Sequence, residues 1–195
     1  MDTTDIKNSR KIIIAVTGAS GAIYAKRLLE RIELVSPVPE EVAVIFSETA
    51  LQIWEHELES KPKLNPPAKA YDNNSFFAPF ASGSAQYDTM IICPASMGVI
   101  GRIACGTSDD LIARAADVIL KERRKLILVP REAPYNLIHL KNMETLTLAG
   151  AIICPASPSF YSKPATIEEL TDTIINRVLA LAGFYVPGFR WMEND

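Results

Sequence analysis

Two stretches place small, polar and charged side chains directly behind apolar, β-rich runs: residues 11–24, KIIIAVTGASGAIY, and 125–134, KLILVPREAP. In an open parallel sheet such strand ends gather along one edge, at the mouth of the ligand crevice. Gly18, Ala19 and Ser20 would face a phosphate there, and Arg131 with Glu132 would set a fixed cation beside a carboxylate. Those groups suit an anionic organic ligand and an acid/base step. TGASGA has neither the GxGxxG of dinucleotide binders nor the lysine of a P-loop. A tight strand–helix turn without ligand is therefore its other reading.

Further candidates lie on the same presumptive edge. Ser47 closes the second apolar run and Ser96 the third, in PASMGV. One serine at a helix start is ordinarily a cap; with Ser20, three at successive strand ends favour an anionic, polyhydroxylated ligand such as flavin mononucleotide (FMN). Arg114 and Lys121 stand at i, i+7 on one helix face, Arg177 falls on the last helix and Tyr161 ends the PSFY turn. If they converge, these basic groups and the phenol suit a second phosphate. Glu57, in the charged run 55–59, reads by itself as part of a solvated helix face, and Arg131 with Glu132 could be a structural ion pair. His56 and His139 have no ligand-spaced partners, so no metal site is expected, and His139 reads as a structural hydrogen-bonder.

The elements that must hold these residues follow from hydropathy. Apolar runs at 11–16, 42–46, 89–93, 125–129 and 151–154 are short and apolar throughout, as strands covered on both faces are. Helical patterns at 22–34, 49–58, 109–122, 135–149 and 167–181 alternate with them; the last starts behind a Thr166 cap. This is an α/β, doubly wound, Rossmann or flavodoxin-like parallel sheet in one domain, 11–183. Residues 1–10 are expected to be flexible, and the aromatic tail 184–195 to dock on a neighbouring subunit. The Pro-, Asn- and Gly-rich segment 61–88, with Phe76 and Phe77, reads as an ordered, ligand-facing loop. The repeated string IICPAS, at 91–96 and 152–157, reads as two strand ends with one turn solution.

With 195 residues, 48% of them hydrophobic, the chain suits a single compact core. A net charge of −3 argues against a dedicated nucleic-acid binder. Cys93, Cys105 and Cys154 form no CxxC pair and read as structural thiols of a reducing compartment. No run approaches the roughly 18 apolar residues of a membrane span. The opening MDTTDIKNSR resembles neither a signal nor a transit peptide, so the cytoplasm is the expected compartment.

Together these strings resemble the UbiX-type flavin prenyltransferases, within the wider group of flavin-dependent decarboxylase-like flavoproteins. The resemblance runs from Lys11 to about Trp191. It rests on TGASGAIYAKRLL, SETA, APFASGS, ICPASMGVIGRIACGTSDDLIARAADVILKERRKLILVPREAPYNLIHLKNM and PSFYSKPATIEEL. It implies a metal-independent enzyme that joins a dimethylallyl group, from dimethylallyl phosphate, to N5 and C6 of reduced FMN. The prenylated FMN would pass to a UbiD-type decarboxylase. It also implies a homo-oligomer, a dodecamer with sites at subunit junctions. By the same resemblance Gly18, Ala19, Ser20 and Ser47 hold FMN, Ser96, Met97, Gly98 and Val99 form a second flavin loop, and Arg131 completes that site. Ser82, Gly83, Arg114, Lys121, Tyr161 and Arg177 would surround the prenyl phosphate, with Glu57, Glu132 and Lys121 in the catalytic roles. Val99, Ala95, Phe76 and Arg102 depart from residues usual in the family. Two rival readings stay open: an FMN-dependent decarboxylase, which would rely on a histidine early in the first helix, and a non-catalytic flavin-carrier subunit. Helix 22–34 contains no histidine.

Overall fold

A computed structural model describes residues 10–186. Six strands, β1 (Lys11–Val16), β2 (Glu41–Phe46), β3 (Ala68–Asp72), β4 (Tyr87–Ala95), β5 (Lys125–Pro130) and β6 (Ile152–Ile153), form one sheet in the order β3-β2-β1-β4-β5-β6. All five pairings are parallel. The helices are α1 (Ala22–Arg31), α2 (Glu48–Leu58), α3 (Met97–Ala104), α4 (Leu111–Lys121), α5 (Leu137–Leu148) and α6 (Ile167–Leu181). The doubly wound expectation holds.

Two cores explain why the strands read as apolar throughout. Ile12, Ile14 and Val16 pack among α1, α2 and α6, whereas Ile13 and Ala15 pack among α3, α4 and α5. Successive side chains point to opposite faces and both faces are covered, so no polar alternation survives. On the first face Asp172 of α6 accepts from Arg27 Nε (2.8 Å) and from Arg31 Nη2 (2.6 Å), tying α6 to α1. Burial raises the Asp172 carboxyl pKa, but the two guanidinium hydrogen bonds and charges outweigh it and hold the group below its ordinary value.

Several sequence expectations need correction. The segment 61–88 is not one loop: Ala68–Asp72 pairs with β2, and a 3-10 turn forms at Pro79–Ala81. β3 is an exposed edge strand, so its short sequence AKAYD lacks the apolar run of a buried one. Met97, Gly98 and Val99 are not a loop but the first turn of α3; Gly98 and Gly101 weaken the helical signal there. The two IICPAS strings diverge as well. Ser96 caps a helix, whereas Ser157 donates its N–H to Pro155 O in a loop behind the two-residue β6.

At the chain ends, Arg10 donates to both Asp88 carboxylate oxygens, to Thr89 and to Ala182 O. Phe184 is buried beneath the Arg10 guanidinium, 4.3 Å away, and Tyr185 bridges to Ser36. The first residues of the aromatic tail therefore pack on their own chain. The remainder of that tail and residues 1–9 lie outside the described residues.

Candidate active site

The strand order reverses between β1 and β4, the place where an open α/β sheet opens its ligand crevice. Thr17, buried directly behind β1, staples the two strand ends. Its hydroxyl donates to Pro94 O and accepts from Ser96 N, each at 2.8 Å. Sequence reasoning passed over Thr17; the signal was a threonine between a strand and a glycine turn.

Three helices begin on this edge, behind the adjacent strands β2, β1 and β4. Ser47 Oγ accepts from Ala50 N (3.1 Å) at the start of α2, and Ser96 Oγ accepts from Val99 N (3.4 Å) at the start of α3. A hydroxyl that accepts in this way can still donate, so each cap retains a proton for an incoming anion. Gly18 is needed where it stands, because a Cβ there would lie 2.7 Å from Thr49 Cγ2 and 2.8 Å from Thr49 Cβ. A Cβ on Gly98 would meet no side chain closer than Ser96 Oγ at 4.0 Å, so the helix surface there is open.

The start of α1 is occupied by a carboxylate. Glu57, reaching from the end of α2, accepts from Gly21 N (2.9 Å) and Ala22 N (2.7 Å). Burial pushes its pKa up, but hydrogen bonds from the Ser20 hydroxyl and those two amides, with the Arg131 charge, more than offset this and hold it below the usual value. Glu57 therefore caps the start of α1 with its carboxylate while the residue itself stays exposed to water. Arg131 donates through Nε to Ser20 O (2.8 Å), and Glu132 accepts from its neighbour Ala133 N (3.0 Å). Among the described residues Arg131 and Glu132 make no ion pair with each other; the Arg131 charge acts instead on the carboxylate of Glu57. Deeper in, burial raises Tyr24, Cys93 and Cys154, so both thiols are held protonated.

The proposed prenyl-phosphate residues divide into two groups. Arg114 Nε donates to Ala81 O (3.1 Å), next to Ser82, and Lys121 lies against Gly83 and pairs with Glu122. Gly83 precedes β4 and Lys121 precedes β5, so this cluster sits at the N-terminal ends of the strands. Gly18, Ser47, Ser96 and Arg131 follow β1, β2, β4 and β5, so they sit at the other edge. A six-residue strand spans about 20 Å. Tyr161 lies in the exposed loop before α6, and Arg177 lies on α6, whose charge reaches Cys154 on the face opposite α4. One chain alone does not bring Lys121, Tyr161 and Arg177 to a single crevice. A separate hollow of about 650 Å³ between α2 and β3 is lined by Phe46, Leu51, Leu64 and Tyr71, and contains none of the expected site residues.

Among the described residues, no helix is long and apolar enough to cross a membrane. The Flavoprotein family model matches residues 2–179. The chain is 45% identical to the flavin prenyltransferase UbiX of Methanocaldococcus jannaschii over 175 residues, covering 89% of this chain and 93% of that protein. It superposes on the crystal structure of AnUbiX (PadA1) in complex with FMN and dimethylallyl pyrophosphate with a TM-score of 0.85 at 36% identity, covering 94% and 99% of the two chains. A dodecameric FMN-dependent UbiX-like decarboxylase from Escherichia coli O157:H7 gives a TM-score of 0.85 at 36% identity, with 93% and 99% covered. A cradle of three helix starts at the β1/β4 switch point, on a sheet shared with these proteins, thus belongs to a known lineage: the chain is a member of the Flavoprotein family, in its UbiX-type flavin prenyltransferase branch.

Proposed function

We propose that the chain is a flavin prenyltransferase. It alkylates reduced FMN at N5 and C6 with the dimethylallyl group of a prenyl phosphate and releases phosphate. The observation that carries this reading is the capped cradle of three helix starts at the switch point, with Arg131 and Glu57 both hydrogen-bonded to the backbone of the turn 20–22 at its mouth. Reduced FMN, as the acceptor, supplies a nucleophilic nitrogen and an electron-rich ring carbon.

In this reading Gly18, Ala19, Ser20 and Ser47, with Ser96, Met97, Gly98 and Val99 at the start of α3, hold the flavin, and Arg131 closes the site. The unused hydroxyl protons of Ser47 and Ser96 fit the phosphate end, and the open space beside Gly98 fits the ring. Lys121, Arg114, Arg177 and the Tyr161 hydroxyl stabilise the charge that develops on the departing phosphate, with Ser82 and Gly83 as the loop beneath it. Glu57 and Glu132 are the carboxylates that take the protons lost from N5 and C6, and one of these protons returns to the allylic double bond so that its far carbon can bond C6, leaving a net gain of C5H8. Glu57 is ionised and so can accept a proton, although its lowered pKa makes it a weaker base than an ordinary glutamate.

Because Lys121 and Gly83 lie at the opposite strand edge from the cradle, a working site takes them from a second copy of the chain. A homo-oligomer, a dodecamer like the Escherichia coli relative, supplies that junction. Delivery of the product to a UbiD-type decarboxylase in the cytoplasm completes the proposal. Anaerobic incubation with reduced FMN and either dimethylallyl monophosphate or diphosphate, followed by mass analysis of the extracted flavin, tests it. A gain of one C5H8 unit is expected with at least one donor, and an unchanged flavin with both refutes the reading.

A further inference from the structure

We infer that Glu122 is an internal counter-ion that occupies the Lys121 phosphate site until a prenyl phosphate displaces it, and so sets how tightly that substrate binds. This rests on the reading of Lys121 as a phosphate ligand.

Lys121 is the last residue of α4, and its ammonium pairs with the carboxylate of the next residue, Glu122. Both groups stand directly over Gly83. A Cβ on Gly83 would collide with Glu122 Oε1 and lie 2.8 Å from Lys121 Nζ. The loop cannot recede to relieve that approach, because α4 and the turn behind it hold its carbonyls. Arg124 donates to Gly83 O (2.7 Å), Ala85 O (2.6 Å) and Tyr87 O (3.2 Å), and Arg114 holds Ala81 O (3.1 Å). With those carbonyls engaged, the N–H groups of Gly83 and Ser84 have no acceptor among the described residues. A cation with an anion lodged beside it over a glycine makes an anion site that already holds an anion.

That occupant is a weak one. Its side chain retains 35% of its exposure, and an ion pair in such a setting is screened by water. A phosphate dianion outcompetes one carboxylate for the ammonium, and Glu122 then turns into solvent without leaving a buried charge behind. A prenyl alcohol carries no charge with which to displace it, so the device selects phosphate-bearing donors. When the reaction ends, return of Glu122 to Lys121 speeds the loss of inorganic phosphate.

The test compares the intact assembled protein with Glu122→Gln and Glu122→Ala, titrated calorimetrically with inorganic phosphate and with dimethylallyl phosphate. Both variants should bind both anions about two- to fivefold more tightly, with a melting temperature close to that of the parent. In a Lys121→Ala background the same substitutions should change binding less. Unchanged or weaker anion binding in both variants overturns the inference, whether or not stability changes. The two readings fail separately. A parent that alkylates FMN while its Glu122 variants bind phosphate no better sinks only the counter-ion, whereas a parent that never alkylates FMN sinks the prenyltransferase.

Discussion

Replacing Glu57 with Gln separates the two tasks assigned to that side chain. Its carboxylate accepts from Gly21 N at 2.9 Å and Ala22 N at 2.7 Å, with the Ser20 hydroxyl nearby also favouring the charged form. An amide of the same shape keeps one acceptor oxygen and loses the charge. A hydrogen bond to a charged group contributes about 1 kcal/mol more than a neutral one, and an anion at a helix start adds about 0.3–1 kcal/mol. The group is partly open to water, so we discount the sum to about 1 kcal/mol. For a chain of this length that lowers the melting temperature by about 2–4 °C at fixed protomer concentration.

The pH dependence gives the sharper check. The folded pKa of Glu57 lies below its ordinary value, so its contribution is fully present above the unfolded pKa, about 4.3. It is lost as pH falls through the folded value. The gap between parent and Glu57→Gln should thus be constant near neutrality and close as the solution becomes more acidic than the ordinary glutamate range. Thermal melts followed by circular dichroism at pH 7.5 and at stepwise lower pH would measure it. Turnover should fall further than stability explains, by about 10²-fold or more if the carboxylate moves a proton. A stability gap that persists in acid, or none at neutral pH, would refute the capping argument; undiminished turnover would refute the proton role.

Two other changes probe the frame of the site. Thr17→Val keeps the shape but leaves Pro94 O and Ser96 N without the hydroxyl that bridges them. It should cost about 1–3 kcal/mol in urea unfolding and weaken flavin binding measured by fluorescence quenching; full flavin affinity would show that the staple does not position the cradle. Asp172→Asn removes a nearly buried carboxylate from between Arg27 and Arg31, and a loss of about 2–4 kcal/mol is expected. A change within about 0.5 kcal/mol would place this cluster among surface ion pairs.

What the sequence disclosed follows from what each segment buries. Strands covered on both faces, such as Ile12–Val16 within β1, announce themselves as uninterrupted apolar runs, and Thr166 marks the start of α6 by its capping chemistry. β3 stayed hidden because an edge strand such as AKAYD owes its existence to hydrogen bonds with β2 rather than to burial. α3 stayed hidden because its two glycines look like a loop while Ser96 and the packing of Ile100 and Ile103 hold it helical. In the site, the glycine turn and Ser47, Ser96 and Arg131 were legible because they directly follow strands. Two tertiary relations were not. Glu57 reaches α1 across 36 positions of sequence, and Lys121 stands at the strand edge remote from the cradle. Neither relation leaves a local signature.

That remoteness is also where the proposal is most exposed. Arg131→Ala disables the cradle and Lys121→Ala the phosphate end, so each variant alone should be inactive in prenylating reduced FMN. When the two are co-assembled, random mixing should leave about a quarter of two-copy sites with both residues intact, and activity should reappear. Mixtures as inactive as the separate variants, with co-assembly verified, would mean that one chain supplies both ends and would contradict the shared site.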